Sequence, residues 1–181
     1  RWVLIVSLNP GGISGGSGTQ YFIGDWDGKT FTPSHADTKW IDYGRDNYAG
    51  VTFSNAPDNR KIFLGWMSNW DYAAKLDSHV WRGSMTSPRE LQIIEVGDEL
   101  YLSALPIAEL KPVHDYNFAI SQDEDSDITI SDGEEKVVIH FNSATKIISV
   151  DRSNAWFSQF EEKIQTTKPI TLENFTIRLL L

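Results

Sequence analysis

The chain has 181 residues, of which 40% are hydrophobic and 23% charged, a composition typical of a folded globular protein rather than a disordered one. Its net charge of −9 and its pI near 4.8 argue against a nucleic-acid or anionic-membrane partner, because phosphate binding needs clustered lysine and arginine. The absence of cysteine excludes disulfides and thiolate metal sites, and no apolar run reaches the roughly 18 residues that a membrane-spanning helix needs.

Short apolar segments alternate with turn signals along the first hundred residues. Trp2 to Leu8 is a β-branched run closed by Asn-Pro-Gly-Gly, and Gln20 to Trp26 precedes an Asp-Gly hairpin signal. Further strands are predicted at 29–31, 39–43, 48–54, 61–68, 91–96 and 100–104. Because helical periodicity is nearly absent, the pattern indicates an all-β sandwich, barrel or propeller.

The second part of the chain repeats this pattern after a change in composition between Leu105 and Asp115. That proline-containing segment predicts a linker with at most one helical turn. Strands are predicted again at 127–130, 136–141, 146–150 and 170–181, with a hairpin at Asp132-Gly133. The chain opens and closes in mid-strand, so we expect two β regions that are incomplete at their outer ends.

Two short motifs fit a catalytic or metal-binding template only in part. Residues 12–16 match G-x-S-x-G, but a nucleophile elbow needs a following helix and here a glycine-rich loop and a strand follow. Asp123, Asp125, Asp127 and Glu134 match four positions of a calcium loop, yet Ile128 stands where that loop needs glycine. We therefore predict a flexible loop and a solvated acidic loop.

The remaining polar signals are weaker. The four histidines have no metal-ligand spacing; they are His35, His79, His114 and His140. Asn174 begins an N-glycosylation sequon, which has meaning only in a secreted eukaryotic protein. The residues imply no metal and no cofactor.

Carboxylates and aromatic rings are concentrated between Trp40 and Trp70, a mixture that suits a sugar ligand. Asp42 and Asp46 flank Gly44 and fit either a sugar site or ordinary turn carboxylates. If the strand at 61–68 continued through Asn69, the indoles of Trp66 and Trp70 would face one side. Core packing remains an alternative for Trp70, whereas Gly65 beside Trp66 favours close approach of a ligand or backbone.

Several stretches together resemble glycoside hydrolase family 32, which contains invertases, inulinases and levanases. They run in order along the chain and are WVLIVSLNPGG (2–12), QYFIG (20–24), DYGRDNYA (42–49), GWMSNW (65–70) and SPREL (87–91). The segment VDRSN at 150–154 is similar to part of the family's C-terminal domain. The resemblance thus extends over nearly the whole chain.

This resemblance implies a fold and an activity. The fold would be the last blades of a five-bladed β-propeller followed by a partial β-sandwich. Residues 1–105 would be the C-terminal part of the propeller catalytic domain, 106–115 a linker, and 116–181 an incomplete sandwich. The activity would be cleavage of terminal β-fructofuranosyl linkages by a retaining mechanism.

The family's catalytic motifs are missing from these residues. The W-M-N-D-P-N-G-like, R-D-P and E-C motifs supply the nucleophile, the stabilising Asp and the acid/base Glu, and none of them occurs here. All three would lie upstream of Arg1, so no catalytic residue is assigned. By resemblance Asp42 would accept hydrogen bonds from sugar hydroxyls, Trp66 would form an apolar wall, and Asp46 and Tyr48 are further candidates for this pocket.

Two functions remain open. The first is part of a sucrose- or fructan-cleaving enzyme that is inactive alone, and Arg89 would then be structural. The second is a non-catalytic carbohydrate-binding or assembly module derived from such an enzyme. Exposed strand edges would allow association with a missing N-terminal part or with a second copy. We expect a secreted or extracellular protein, and the choice among sucrose, inulin and levan stays open.

Overall fold

The computed structural model describes residues 1–76, 83–110, 115–155, 158, 169–172, 175 and 177–180. Its strands are β1 (Trp2–Leu8), β2 (Gly18–Trp26), β3 (Phe31–Pro33), β4 (Lys39–Trp40), β5 (Tyr48–Thr52), β6 (Ile62–Trp66), β7 (Arg89–Val96), β8 (Glu99–Pro106), β9 (Asp115–Phe118), β10 (Ser126–Asp132), β11 (Glu135–Asn142), β12 (Ile147–Asn154), β13 (Ile170–Thr171) and β14 (Ile177–Leu180). A 3₁₀ turn lies at Pro57–Asn59, and no helix in the described ranges is long and apolar enough to cross a membrane.

The chain divides into two compact units. The first consists of Arg1–Ala73 and Val80–Leu110, and the second of Ala74–His79 and Lys111–Leu181.

The first unit begins with an antiparallel sheet in the order β1-β2-β3, with β4 also paired to β2. The first two strands pair in register from Trp2 opposite Gly24 to Leu8 opposite Gly18. The turn after β2 closes because Asp27 Oδ1 accepts hydrogen bonds from the backbone N–H groups of Lys29 and Thr30, at 2.8 and 2.7 Å. The Asp-Gly signal therefore forms the expected tight turn.

The second sheet of this unit has the order β5-β6-β7-β8 and is also antiparallel. Its longest pairing is the β7–β8 hairpin, which runs from Arg89 opposite Pro106 to Val96 opposite Glu99. Gly97 has φ +62° in the turn of this hairpin, a conformation that favours glycine. A register shift interrupts the β5–β6 pairing between Tyr48 and Val51.

The core of the first unit lies around two completely buried side chains, Ile23 of β2 and Phe63 of β6. Tyr21, Ile41 and Leu91 complete the cluster. Successive side chains of a strand point to opposite faces, so Tyr21 and Ile23, two positions apart on β2, point to the same buried side. Burial of aliphatic and aromatic surface in this cluster holds the segments around residues 40–70 in place.

The second unit contains two sheets, of order β10-β11-β12-β13 and β9-β14, both antiparallel. Gly133, with φ +62°, lies in the β10–β11 hairpin as the Asp-Gly signal predicts. Phe141 of β11 is 2% exposed, and its ring lies 5.1 Å from that of Phe175. This pair forms the centre of the described apolar packing in the unit.

The structure corrects several predicted strand boundaries. The strand predicted at 146–150 is Ile147–Asn154, and the one predicted at 170–181 is two short strands, β13 and β14. The strand predicted at 39–43 ends at Trp40, and the strand predicted at 61–68 ends at Trp66. The strand predicted at 100–104 extends from Glu99 through Pro106 as β8. Three residues considered in the sequence, His79, His114 and Asn174, lie outside the described residues.

Candidate functional site

Asp42 lies in the bend after β4, and both of its carboxylate oxygens are engaged. Oδ1 accepts a hydrogen bond from the backbone N–H of Gly44 at 2.8 Å, which is the turn interaction that the sequence allowed. Oδ2 accepts from Arg89 Nη2 at 2.7 Å and from Asn47 Nδ2 at 3.4 Å. The Asp42 and Arg89 side chains are 24% and 25% exposed, so this ion pair is largely but not fully desolvated.

Asn47 connects the Asp42 bend to strand β6. Its side chain is 2% exposed, and its backbone carbonyl accepts a hydrogen bond from Thr19 Oγ1 at 3.2 Å. A Cβ added to Gly65 would lie 2.6 Å from Asn47 Oδ1. Gly65 is therefore needed for the close approach of Asn47, which is a structural reason for a glycine that the sequence associated with ligand or backbone approach.

Three aromatic rings form what we call the aromatic wall, defined by Tyr48, Trp66 and Trp70. Tyr48 of β5 pairs with Trp66 of β6, and their rings meet edge to face at 6.4 Å. The rings of Trp66 and Trp70 are 5.1 Å apart and inclined by 55°. The wall thus brings together two predicted site residues and the second indole.

The position of Trp70 differs from the sequence interpretation in two respects. The strand does not continue through Asn69, so the indoles meet across a turn rather than along one strand face. Trp70 is 56% exposed, which excludes core packing as its role within this unit. An exposed indole beside a half-buried one offers an apolar surface with a polar N–H at its edge.

Asp46 is held by a buried phenol. The hydroxyl of Tyr72, a residue that is 2% exposed, donates a hydrogen bond to Asp46 Oδ1. Tyr72 was not singled out from the sequence, because it lies outside the stretch that ends at Trp70. The carboxylate of Asp46 thus has a structural partner, as that of Asp42 does.

A largely buried polar cluster that the sequence did not reveal is hydrogen-bonded to the backbone of Trp70. We call it the Asn69 cluster, and it consists of Ser17, Arg45, Asn69 and Asp71. Arg45 is 6% exposed, donates to the Ser14 carbonyl, and pairs through Nη2 with Asp71 Oδ2 at 2.7 Å. The glycine-rich loop at 12–18 and a lone arginine inside an acidic stretch were the available signals.

Asn69 is completely buried and joins three segments of this cluster. Its Nδ2 donates to the carbonyls of Gly15, Ser17 and Arg45, at 3.1, 3.2 and 2.9 Å. Its Oδ1 accepts from the N–H groups of Ser17 and Asp71, at 3.2 and 3.0 Å. Every polar atom of this amide is therefore hydrogen-bonded, as burial requires.

A second charged cluster connects strand β4 to the β7–β8 hairpin. Lys39 Nζ donates to Glu99 Oε2 and to the Leu100 carbonyl, both at 3.1 Å, and lies 3.9 Å from the centre of the Tyr101 ring. Burial acts to lower the pKa of Lys39, but the Glu99 hydrogen bond and nearby anions raise it overall. Hydrogen bonds from Tyr101 and Lys39 lower the pKa of Glu99. This cluster is a brace, exposed at Glu99, that links β4 to the β7–β8 hairpin.

The other candidate motifs form ordinary local contacts. In the G-x-S-x-G loop, Ser14 Oγ donates to the Tyr43 carbonyl at 2.8 Å, and β2 follows the loop directly. In the acidic loop, Asp125 Oδ1 accepts from the N–H and hydroxyl of Ser143, which lowers the pKa of Asp125. Asp127 Oδ1 lies 2.8 Å from His140 Nδ1. Nowhere in the described part of the chain do three such side chains form a metal-binding group.

These contacts limit the chemistry of the site. A carboxylate that is paired with arginine and caps a turn is suited to hold structure and accept further hydrogen bonds, not to attack a sugar carbon. The aromatic wall supplies flat apolar surface for a ring-shaped ligand. The arrangement can bind and orient a polyhydroxyl ligand, and the carboxylates of Asp42 and Asp46 both have hydrogen-bond partners within the chain.

Comparison with known proteins identifies relatives along most of the chain. Residues 1–104 match the model of the glycosyl hydrolases family 32 N-terminal domain. A levanase of Bacillus subtilis is 43% identical over 117 residues, which cover 62% of this chain and 17% of that enzyme. An extracellular exo-inulinase of Aspergillus awamori is 34% identical over 162 residues, which cover 81% of this chain and 30% of that enzyme.

A solved structure shows the same fold. The crystal structure of the exo-inulinase from Aspergillus awamori superimposes with a TM-score of 0.78 and 27% identity, covering 94% of this chain and 41% of that one. The fold is all-β and corresponds to the last blades of a five-bladed β-propeller followed by a partial β-sandwich. The chain spans less than a third of the length of these two sequence relatives. With more than half of its residues matched by the family model, the chain belongs to glycosyl hydrolases family 32.

Proposed function

We propose that this chain is part of a glycoside hydrolase that cleaves terminal β-fructofuranosyl linkages in sucrose or fructans by a retaining mechanism. The observation that carries the proposal is the aromatic wall, in which Trp66 packs between Tyr48 and Trp70. Relatives named levanase, exo-inulinase and invertase support a fructose-containing ligand. The domain division follows the family, with propeller residues at 1–105, a linker at 106–115 and an incomplete sandwich at 116–181.

Each predicted site residue has a proposed role. Trp66, with Tyr48 beside it, forms the apolar surface on which a sugar ring lies. A carboxylate offers about four acceptor positions, and hydrogen bonds from Gly44, Asn47 and Arg89 occupy three of those of Asp42, which leaves one for a sugar hydroxyl. Asp46 lines the same pocket, with its orientation fixed by Tyr72.

The 181 residues are proposed to be inactive when isolated. A retaining glycosidase needs a nucleophilic carboxylate and an acid/base carboxyl about 5 Å apart. The family motifs that supply these groups do not occur in the sequence, and Asp42 and Asp46 have other partners. The Asp42 and Trp66 roles are therefore binding roles.

The experiment is an assay of fructose release from sucrose, inulin and levan by the purified chain. We expect no release above the buffer control over a long incubation. Turnover that Trp66→Ala abolishes and Trp26→Ala leaves intact would contradict the proposal, because it would require a nucleophile within these residues. Trp26 is a suitable control because it is a partly exposed tryptophan at the end of β2.

The second candidate function is a non-catalytic carbohydrate-binding or assembly module. It is favoured by exposed apolar side chains on β1, where Trp2 is 58% and Leu4 42% exposed. Such a strand can pair with a strand of another polypeptide or of a second copy of this chain. Light scattering tests the assembly function, since a chain that stays monomeric at all concentrations would count against it. Several relatives are named extracellular, which supports a secreted protein.

A further inference from the structure

The buried amide of Asn69 has more contacts than local turn formation needs. It hydrogen-bonds to residues 52 and 54 positions earlier in the chain and to Arg45, which is 24 positions earlier. Its own backbone carbonyl also accepts from the N–H groups of Tyr72 and Ala73, at 3.2 and 2.8 Å. Asn69 thus fastens the turn after β6 to two distant loops.

A chain of contacts leads from this amide to the aromatic wall. Asn69 holds both the N–H and the carbonyl of Ser17. The hydroxyl of Ser17 in turn accepts a hydrogen bond from the backbone N–H of Trp70, at 3.3 Å. The indole of Trp70 then meets that of Trp66 at 5.1 Å. The angle between the two indoles therefore depends on the position that Asn69 gives to Ser17 and to the turn.

Glycine at position 16 is required by the same arrangement. A Cβ at Gly16 would lie 2.0 Å from Asn69 Oδ1, so only glycine lets the loop approach the amide this closely. Gly16 also has φ +61°. The close contact therefore depends both on glycine at position 16 and on the buried amide at position 69.

We propose that Asn69 is a positioning residue that sets the geometry of the Trp66–Trp70 pair through Ser17. In this role it controls the surface offered to a ligand without touching the ligand itself. The part of the proposal that concerns ligand binding rests on the proposed function of the aromatic wall. The part that concerns the geometry of the two indoles stands independently of it.

The first test is Asn69→Asp, which keeps the shape and the accepting Oδ1 but removes the donor that faces three carbonyls. Because the two indoles are close and inclined, they are expected to give an exciton couplet in circular dichroism, which Trp70→Phe identifies. We expect the substitution to remove most of this couplet at neutral pH and to weaken binding of a fructose oligomer about tenfold, the loss expected for unsatisfied buried carbonyls. Asn59→Asp, in an exposed turn, is the matched control and should leave both unchanged.

Acidification provides a readout that general destabilisation would not produce. Burial disfavours the introduced carboxylate, so this carboxyl should protonate above the usual Asp range and regain one donor. The charged groups around it are Arg45 and Asp71, which pair with each other, and Asp46, which Tyr72 holds. We therefore expect partial recovery of the couplet as the pH is lowered, in Asn69→Asp only.

A second pair of variants tests the contact if Asn69→Asp fails to fold. Gly16→Ala and Gly97→Ala introduce the same side chain at φ +61° and +62°, but only the first collides with Asn69, since nothing lies within 4 Å of the second. We expect the couplet to fall in Gly16→Ala and to persist in Gly97→Ala. Equal couplets in the two alanine variants would overturn the proposal, as would an unchanged couplet in folded Asn69→Asp. Absence of ligand binding by a wild-type chain with an intact couplet would instead contradict the proposed function.

Discussion

Replacement of Asp42 by asparagine tests the structural role of this carboxylate, as distinct from its proposed role in binding. In the native chain Asp42 Oδ2 accepts hydrogen bonds from Arg89 and Asn47, at 2.7 and 3.4 Å. An asparagine that kept its Oδ1 on the Gly44 N–H would present an NH₂ group to the guanidinium, so that two donors would face each other. Hydrogen bonds to charged groups contribute about 1.5–3 kcal/mol, and leaving one partner unsatisfied costs a similar amount.

The solvent exposure of the Asp42–Arg89 ion pair determines how much the substitution lowers the free energy of unfolding. Because about a quarter of each side chain is exposed, water compensates part of the loss, and we expect the free energy of unfolding to fall by about 1.5–2 kcal/mol. The assay is a double-mutant cycle of Asp42→Asn and Arg89→Met, followed by urea unfolding with tryptophan fluorescence. We expect an interaction energy of about 1–2 kcal/mol between the two residues, with no change in the slope of unfolding free energy against urea concentration. A coupling below about 0.5 kcal/mol, the range of independent sites, would refute the reasoning.

Two further predictions concern the core and the charged brace of the first unit. Phe63→Ala removes a completely buried ring and should lower the free energy of unfolding, measured in urea, by about 3–5 kcal/mol. Gly50→Ala adds a Cβ that would lie 2.0 Å from Phe63 Cζ and should lower it by about 1–3 kcal/mol. Values near zero for either variant would contradict the described packing. Hydrogen bonds from Tyr101 and Lys39 lower the pKa of Glu99 below the ordinary glutamate value of 4.5. The stabilisation by Glu99 is therefore present above that pH and is lost as the pH falls through the lowered pKa. Thermal melts of Glu99→Gln should therefore lose less stability on acidification than those of the native chain, and parallel curves would argue against this linkage.

The strands could be predicted from the sequence where local signals determine them. β1 begins and ends at the predicted residues, and the β7–β8 hairpin turns at the predicted Gly97-Asp98. The strand after Lys39 was predicted too long because apolar pattern alone does not reveal that Asp42 turns back onto Gly44. Side-chain hydrogen bonds of this kind compete with the sheet ladder.

The candidate site was predicted only where its residues are close together in the sequence. Tyr48 and Trp66 lie in a dense aromatic stretch and do meet across β5 and β6. Asn69 has no local signal, because its partners lie 24 to 54 positions away and only the fold brings them together. Gly65 was associated with ligand or backbone approach, whereas the structure assigns its lack of a side chain to Asn47.

The central claim is that the aromatic wall binds fructose-containing carbohydrate without cleaving it, and calorimetric titration with a fructose oligomer tests this most directly. We predict measurable heat of binding at millimolar ligand for the native chain and for Trp26→Ala, and its loss in Trp66→Ala. All three proteins should unfold cooperatively, which excludes misfolding as the cause. Equal heats for the native chain and Trp66→Ala, or no heat for the native chain at millimolar ligand, would contradict the account.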